Sequence, residues 1–153
     1  MGVDYIVASL PALAFGEKPP ISPEAFAAAC GGAVPPPPPE WTDLETQLRN
    51  AVAEARGGAK FVRPTRGCSL YWRDRVRACF NETDVFRRDE MLDRVWWDAA
   101  GELTPPSSPL GRGALATYAE RLRIALRRAA ISAERGAVAF DRMTANAEVK
   151  EGK

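Results

Sequence analysis

The 153-residue chain contains no histidine. It therefore lacks the side chain most often used as a general base, the serine-protease relay, and the nitrogen ligands of most zinc and non-haem iron sites. Thiols, carboxylates and guanidiniums are what remain for chemistry. Cys30, Cys68 and Cys79 are odd in number and far apart, which fits neither a disulfide framework nor a zinc module, so they read as reduced thiols. Cys68 lies close to Arg66, and a neighbouring cation can lower a thiol pKa. A nucleophile also needs a base or an orienting partner, and the sequence supplies none. Gly57-Gly58-Ala59-Lys60 has the flavour of a phosphate loop, but the glycine spacing is wrong and Phe61 stands where a hydroxyl residue is required. Asp89, Glu90 and Asp93 cluster on an arginine-rich stretch, with Glu90 one turn before Arg94. That is the spacing of a solvated surface pair. These residues point to no catalytic site, no metal and no cofactor.

The arginines are the better candidates for contact. Arg121, Arg123, Arg127, Arg128 and Arg135 make one long helical segment basic, and guanidinium groups grip carboxylates or phosphates in bidentate fashion. A basic helical protein associated with nucleic acid is the alternative reading. Nucleic acid is not expected, because no stacking aromatics interleave with these arginines and the charge asymmetry is mild. Residues 1–60 carry 7 acids against 4 bases, and residues 61–153 carry 13 against 17. An acidic protein surface suits them better.

The element carrying these arginines is predicted over about residues 114–135. Leu115, Tyr118, Ala119, Leu122, Leu126, Ala129, Ala130 and Ala133 share one face at the helical period. Ile124, Ile131 and Val138 recur every seven residues on roughly the opposite side, so this helix calls for two neighbours. Either this chain covers the second strip or a partner does. The docking expectation places Arg121, Ile124, Arg128 and Ile131 at the contact.

Other elements follow from caps and breakers. Ser22 caps and Pro23 opens a short helix that ends at Gly31-Gly32. Pro35 to Pro39 predict a stiff polyproline II spacer over residues 35–40. Thr42 and Glu45 have capping-box spacing ahead of a helix with Leu44, Leu48, Ala51, Val52 and Ala55 on one face, stopped by Gly57-Gly58. Trp72, Val76, Cys79 and Phe80 share a face, which makes Cys79 a core residue. Thr83-Asp84 begin a further helix whose inner stripe is Val85, Leu92, Val95, Trp96 and Ala99. The prolines of Leu103 to Pro109 break the chain again. Residues 5–10 fit a strand or a helical turn equally. The expectation is an all-α, irregular bundle of about five helices with proline-rich linkers. Its parts are an N-terminal segment (1–34), the linker (35–40), the bundle (41–145) and a frayed polar tail (146–153).

Tyr5-Ile6-Val7-Ala8-Ser9-Leu10-Pro11, Phe15-Gly16-Glu17-Lys18-Pro19-Pro20-Ile21-Ser22, and then Phe26 and Cys30, resemble the N-terminus of an uncharacterised bacterial family encoded among V-type ATPase (ATP synthase) subunit genes. The likeness covers about the first 30 residues well and is weaker in the Trp41 to Ala55 helix and the later arginine-rich helices. The resemblance implies a protein in the gene position of the C subunit, an all-helical socket between rotor shaft and membrane ring. It also implies V-type ATPase rotor or stalk subunits as partners, and no catalytic residues. The chain is shorter than a three-lobed C subunit. With no long apolar run and no signal-peptide pattern, it is expected in the cytoplasm, peripheral to the inner membrane through the complex.

Overall fold

A computed structural model of the chain describes the backbone of residues 2–151 and the side chains of residues 2–147. It is all-α, an irregular bundle of six α-helices: α1 (Val3–Ser9), α2 (Pro23–Ala29), α3 (Pro39–Ala55), α4 (Leu70–Cys79), α5 (Val85–Ala100) and α6 (Arg112–Glu151). Two single 3-10 turns, Ala59–Phe61 and Gly101–Leu103, follow α3 and α5. No described residue is in a strand, and the ambiguous opening segment is helical.

Side-chain caps explain where α2 and α5 begin. Ser22 Oγ accepts from the Ala25 amide at 3.1 Å, and Asp84 Oδ1 accepts from Phe86 and Arg87 amides at 2.9 and 3.2 Å. Each satisfies donors that helix geometry leaves free. Helix α3 corrects the capping-box reading. It starts at Pro39, not at Thr42, and Pro38 is the cap residue with no side-chain hydrogen bond. Proline at the first helical position loses nothing by lacking an amide hydrogen, so the helix extends into the proline run and takes Thr42 inside.

The first buried cluster joins Trp41, Leu44, Leu48 and Ala51 of α3 to Trp72, Val76 and Cys79 of α4 and to Val95, Ala99 and Ala100 of α5. Each large side chain of this kind contributes about 1.5–3 kcal/mol when fully buried. Val85, assigned from its position to the inner stripe, is 66 % exposed instead, because it is the first residue of α5 and lies outside the buried cluster. A polar comb on α3 then fastens the loop that follows it. Asp43 accepts from the Arg66 and Gly67 amides at 2.6 and 2.9 Å, Gln47 accepts from Ser69 at 2.8 Å, and Asn50 both accepts from and donates to the Arg63 backbone at 2.9 and 2.7 Å. These three side chains stand one above another on one helix face.

The second cluster builds on α6. Leu115, Tyr118, Ala119, Leu122 and Leu126 are covered by the N-terminal segment, with Phe26 of α2 at its centre and α1 alongside. Tyr118 donates its hydroxyl to the Pro11 carbonyl at 2.7 Å, tying the two together. The buried Thr117 hydroxyl donates to the Ala100 carbonyl at 2.8 Å, so Thr104, 2.7 Å away, must donate to Thr117. Gly113 lies so close to the Leu103 carbonyl that a Cβ there would collide with backbone. Helix α6 is 40 residues long, running well past the predicted end at residue 135, and the described part of the expected frayed tail is helical. Residues 152 and 153 of that tail lie outside the described residues.

Candidate protein-docking site

The two apolar strips of α6 each have a neighbour within this chain. The N-terminal segment covers the first strip through Leu126, and α5 packs on the other side. Among the four expected contact residues, the structure draws the two arginines inward. Arg121 donates Nε to the Trp97 carbonyl at 3.0 Å, with its guanidinium 5.3 Å from the Trp97 ring centroid. Burial lowers its pKa from the usual arginine value, and the nearby Asp98 only partly offsets that. Arg128 donates to Asp93 at 3.0 Å, stands 3.9 Å from Glu90, and lies over the Phe15 ring at 5.2 Å. Neither is a free grip for an acidic partner.

Asp93 on α5 is the chief cause, and it corrects the solvated-face reading, which holds for the exposed Glu90. Asp93 is 6 % exposed and takes both Arg127 and Arg128. Burial nevertheless pushes its carboxyl above the ordinary carboxylate value, with Arg127 and Arg128 pulling it down and Asp89 adding to the rise. Glu90 lies nearest to Arg128, at 3.9 Å, whereas Arg94 pairs with Asp98 at 3.2 Å. The basic side of α6 is therefore largely spent on its own chain.

Ile124 and Ile131 remain half-exposed, each at the edge of an opening. Ile124 lines a cleft of about 320 Å³ bounded by α3, α5 and α6. Its apolar surface comes from Val52, Leu92, Trp96 and Ile124. Around these stand four carboxylates (Glu45, Asp89, Asp93, Glu120) and three guanidiniums (Arg49, Arg123, Arg127). Arg49 pairs with Glu45, and Arg123 with Glu120, both at 3.0 Å. Glu120 is 5 % exposed. Burial raises its pKa, Glu45 adds to the rise, and Arg123 and Trp41 work against it. Ile131 lines a separate hollow of about 340 Å³ with Phe86, Asp89, Arg128, Ser132, Arg135 and Gly136. The first cleft is the candidate site: an apolar floor within a charged rim is the arrangement that receives the apolar anchors of a docked helix.

Sequence reasoning found Ile124 but missed the residues that complete the cleft with it. Trp96 and Leu92 read as core, and nothing in the sequence singles out Glu120. A half-buried tryptophan carries no mark in a sequence that distinguishes it from a buried one. Of the remaining candidates, Cys68 is an exposed thiol and Gly57-Gly58 simply end α3, with Gly57 at φ 76°. Among the described residues, no grouping of acidic or cysteine side chains has the geometry of a metal site. No helix there is long and apolar enough to cross a membrane. No protein-family model, curated protein or solved structure matches the chain.

Proposed function

We propose that this chain is a non-catalytic docking component of a bacterial V-type ATPase, accessory to or C-subunit-like within the central stalk. The observation that supports docking is the cleft between α3 and α6, floored by Val52, Leu92, Trp96 and Ile124. Three helices frame it, and a fourth, brought by a rotor or stalk subunit, completes the packing. The choice of partner rests on the N-terminal resemblance at Tyr5 to Cys30.

Apolar burial supplies the affinity, and the charged rim sets the register. Because the rim holds one more carboxylate than guanidinium, with Glu120 and Asp93 already burdened by burial, it favours a helix that brings a lysine or arginine beside its apolar anchors. That differs from the acidic surface expected from the arginine count alone. The role is mechanical: torque transmission or assembly, with no bond made or broken by this chain. It is peripheral to the membrane through the complex and uses no cofactor.

The test is binding of purified V-type rotor and stalk subunits to the wild-type chain and to Ile124→Asp. A carboxylate at that position adds charge to an already acidic cleft and removes an apolar anchor, so affinity should fall by roughly a factor of ten or more, since about 1.4 kcal/mol is tenfold. Helicity should stay the same, because Ile124 is not part of either buried cluster. Equal binding by both proteins, or no binding by either, overturns the proposal.

A further inference from the structure

Past Ile131 every described residue of α6 from 132 to 147 is exposed, and Arg135, 3.9 Å from the Phe86 ring centroid, makes a last contact with α5 before the helix runs on. An isolated stretch of this kind is a weak helix unless something packs on it. Yet its sequence keeps a strict pattern. Leu115, Ala119, Leu122, Leu126 and Ala129 are followed by Ala133, Gly136, Phe140, Met143 and Ala147, alternating steps of four and three residues without a break. This is the heptad spacing of a helix seam. Leu115, Ala119, Leu122 and Leu126 of this seam pack under the N-terminal segment, and Ala129 stands half-exposed at the edge of that cover. The second half is open, with Phe140 68 % and Met143 72 % exposed.

Gly136 is the informative residue. Glycine is among the poorest residues for a helix interior, and a Cβ at this position would meet nothing within 4 Å. The chain's own packing therefore gives no reason for it, in contrast to Gly113, where the Leu103 backbone demands it. A seam with a hole at Gly136 and a large side chain one turn on at Phe140 is complementary to itself once reversed.

We propose that this part of α6 pairs antiparallel with the same part of a second copy, about a two-fold axis at Val138. Antiparallel helices set each first seam position against the other type in its neighbour. Phe140 of one copy then lies over Gly136 of the other, Met143 meets Ala133, and Ala147 meets Ala129. Every large side chain faces a small one. A parallel pair would stack phenylalanine on phenylalanine and glycine on glycine. It would also bring both molecules to the same end, where α1 and α2 already occupy the seam. Glu134, Arg135, Asp141 and Arg142 sit on the other half of the helix and cancel in charge. The seam itself is uncharged, so nothing on it selects an acidic or basic partner over a second copy. The contact is short, near the lower limit for a stable interface, so the dimer is expected to depend on concentration in the micromolar range.

Sedimentation of the full chain across that range tests the pairing. The mass should rise toward twice 16.7 kDa, and Phe140→Asp should hold the protein at the monomer mass. All four tryptophans, Trp41, Trp72, Trp96 and Trp97, belong to the rest of the molecule, so an unchanged fluorescence spectrum shows that the variant is still folded there. Orientation is read from disulfide trapping in a Cys68→Ser background. Ala133→Cys and Met143→Cys should form a covalent dimer only when the two variants are mixed. A wild-type chain that stays monomeric, a Phe140→Asp dimer, or a covalent dimer of Met143→Cys alone would each overturn the inference.

Discussion

Asp93 is where the account of the fold is most exposed to measurement. Replacing it with alanine takes away the carboxylate that Arg127 and Arg128 share. Breaking a fully buried charge pair from one side costs about 3–5 kcal/mol, because the surviving charge is stranded. Here the stranding is incomplete. The Arg127 side chain is 50 % exposed and can turn to water, while Arg128, 24 % exposed, still has Glu90 at 3.9 Å. Burial also holds the Asp93 carboxyl above its ordinary value despite both guanidiniums, so its removal relieves a desolvation cost as well. The net loss should be about 2 kcal/mol, which lowers Tm by roughly 4–8 °C for a chain of this size. Urea unfolding with an unchanged m-value measures it. A double-mutant cycle with Arg128→Ala should return a coupling of about 1 kcal/mol or more. An Asp93→Ala protein within about 0.5 kcal/mol of wild type, in the range of ordinary surface changes, would refute the claim that this pair joins α5 to α6.

Other perturbations have equally definite outcomes. Leu122→Ala empties a site 3 % exposed between α6 and the N-terminal segment, and chemical denaturation should show a loss of about 2–5 kcal/mol. Gly113→Ala forces a Cβ against the Leu103 carbonyl and should cost about 1–3 kcal/mol, the usual range for overpacking, read as a lower Tm. Backbone hydrogen bonds from Arg66 and Gly67 hold the Asp43 carboxyl below the ordinary value of 3.8. A depressed carboxyl gives stability that is present above its unfolded value and lost as pH falls through its folded one. Acid unfolding should therefore steepen below pH 3.8, and Asp43→Asn should flatten that limb; identical acid profiles would remove Asp43 as the clamp on the loop.

Much of this architecture is legible in the sequence because it is written in local signals. Ser22 and Asp84 announce helix starts, Gly57 a stop, and the spacing of Leu115, Leu122 and Leu126 a buried strip. What could not be read were cross-helix relations. The period of α6 shows that two faces need neighbours, but not that the N-terminal segment takes one and α5 the other. Asp93 looks like its neighbours Asp89 and Glu90, since only the placement of Arg127 and Arg128 opposite it makes it a buried acid. Thr42 and Glu45 match a capping box, yet Pro38 and Pro39 start the helix earlier at no hydrogen-bond cost. The candidate cleft was partly visible: Ile124 stood out from its seven-residue repeat, whereas Trp96 and Glu120 gave no sign of lining the same opening.

Hydrogen exchange of the full chain, alone and with purified V-type rotor or stalk subunits, bears most directly on the proposed docking role. New protection should gather in the helical stretches around Glu45 to Val52, Asp89 to Trp96 and Glu120 to Arg127, the three walls of the cleft. Exchange in those stretches that is the same with and without the subunits would contradict it.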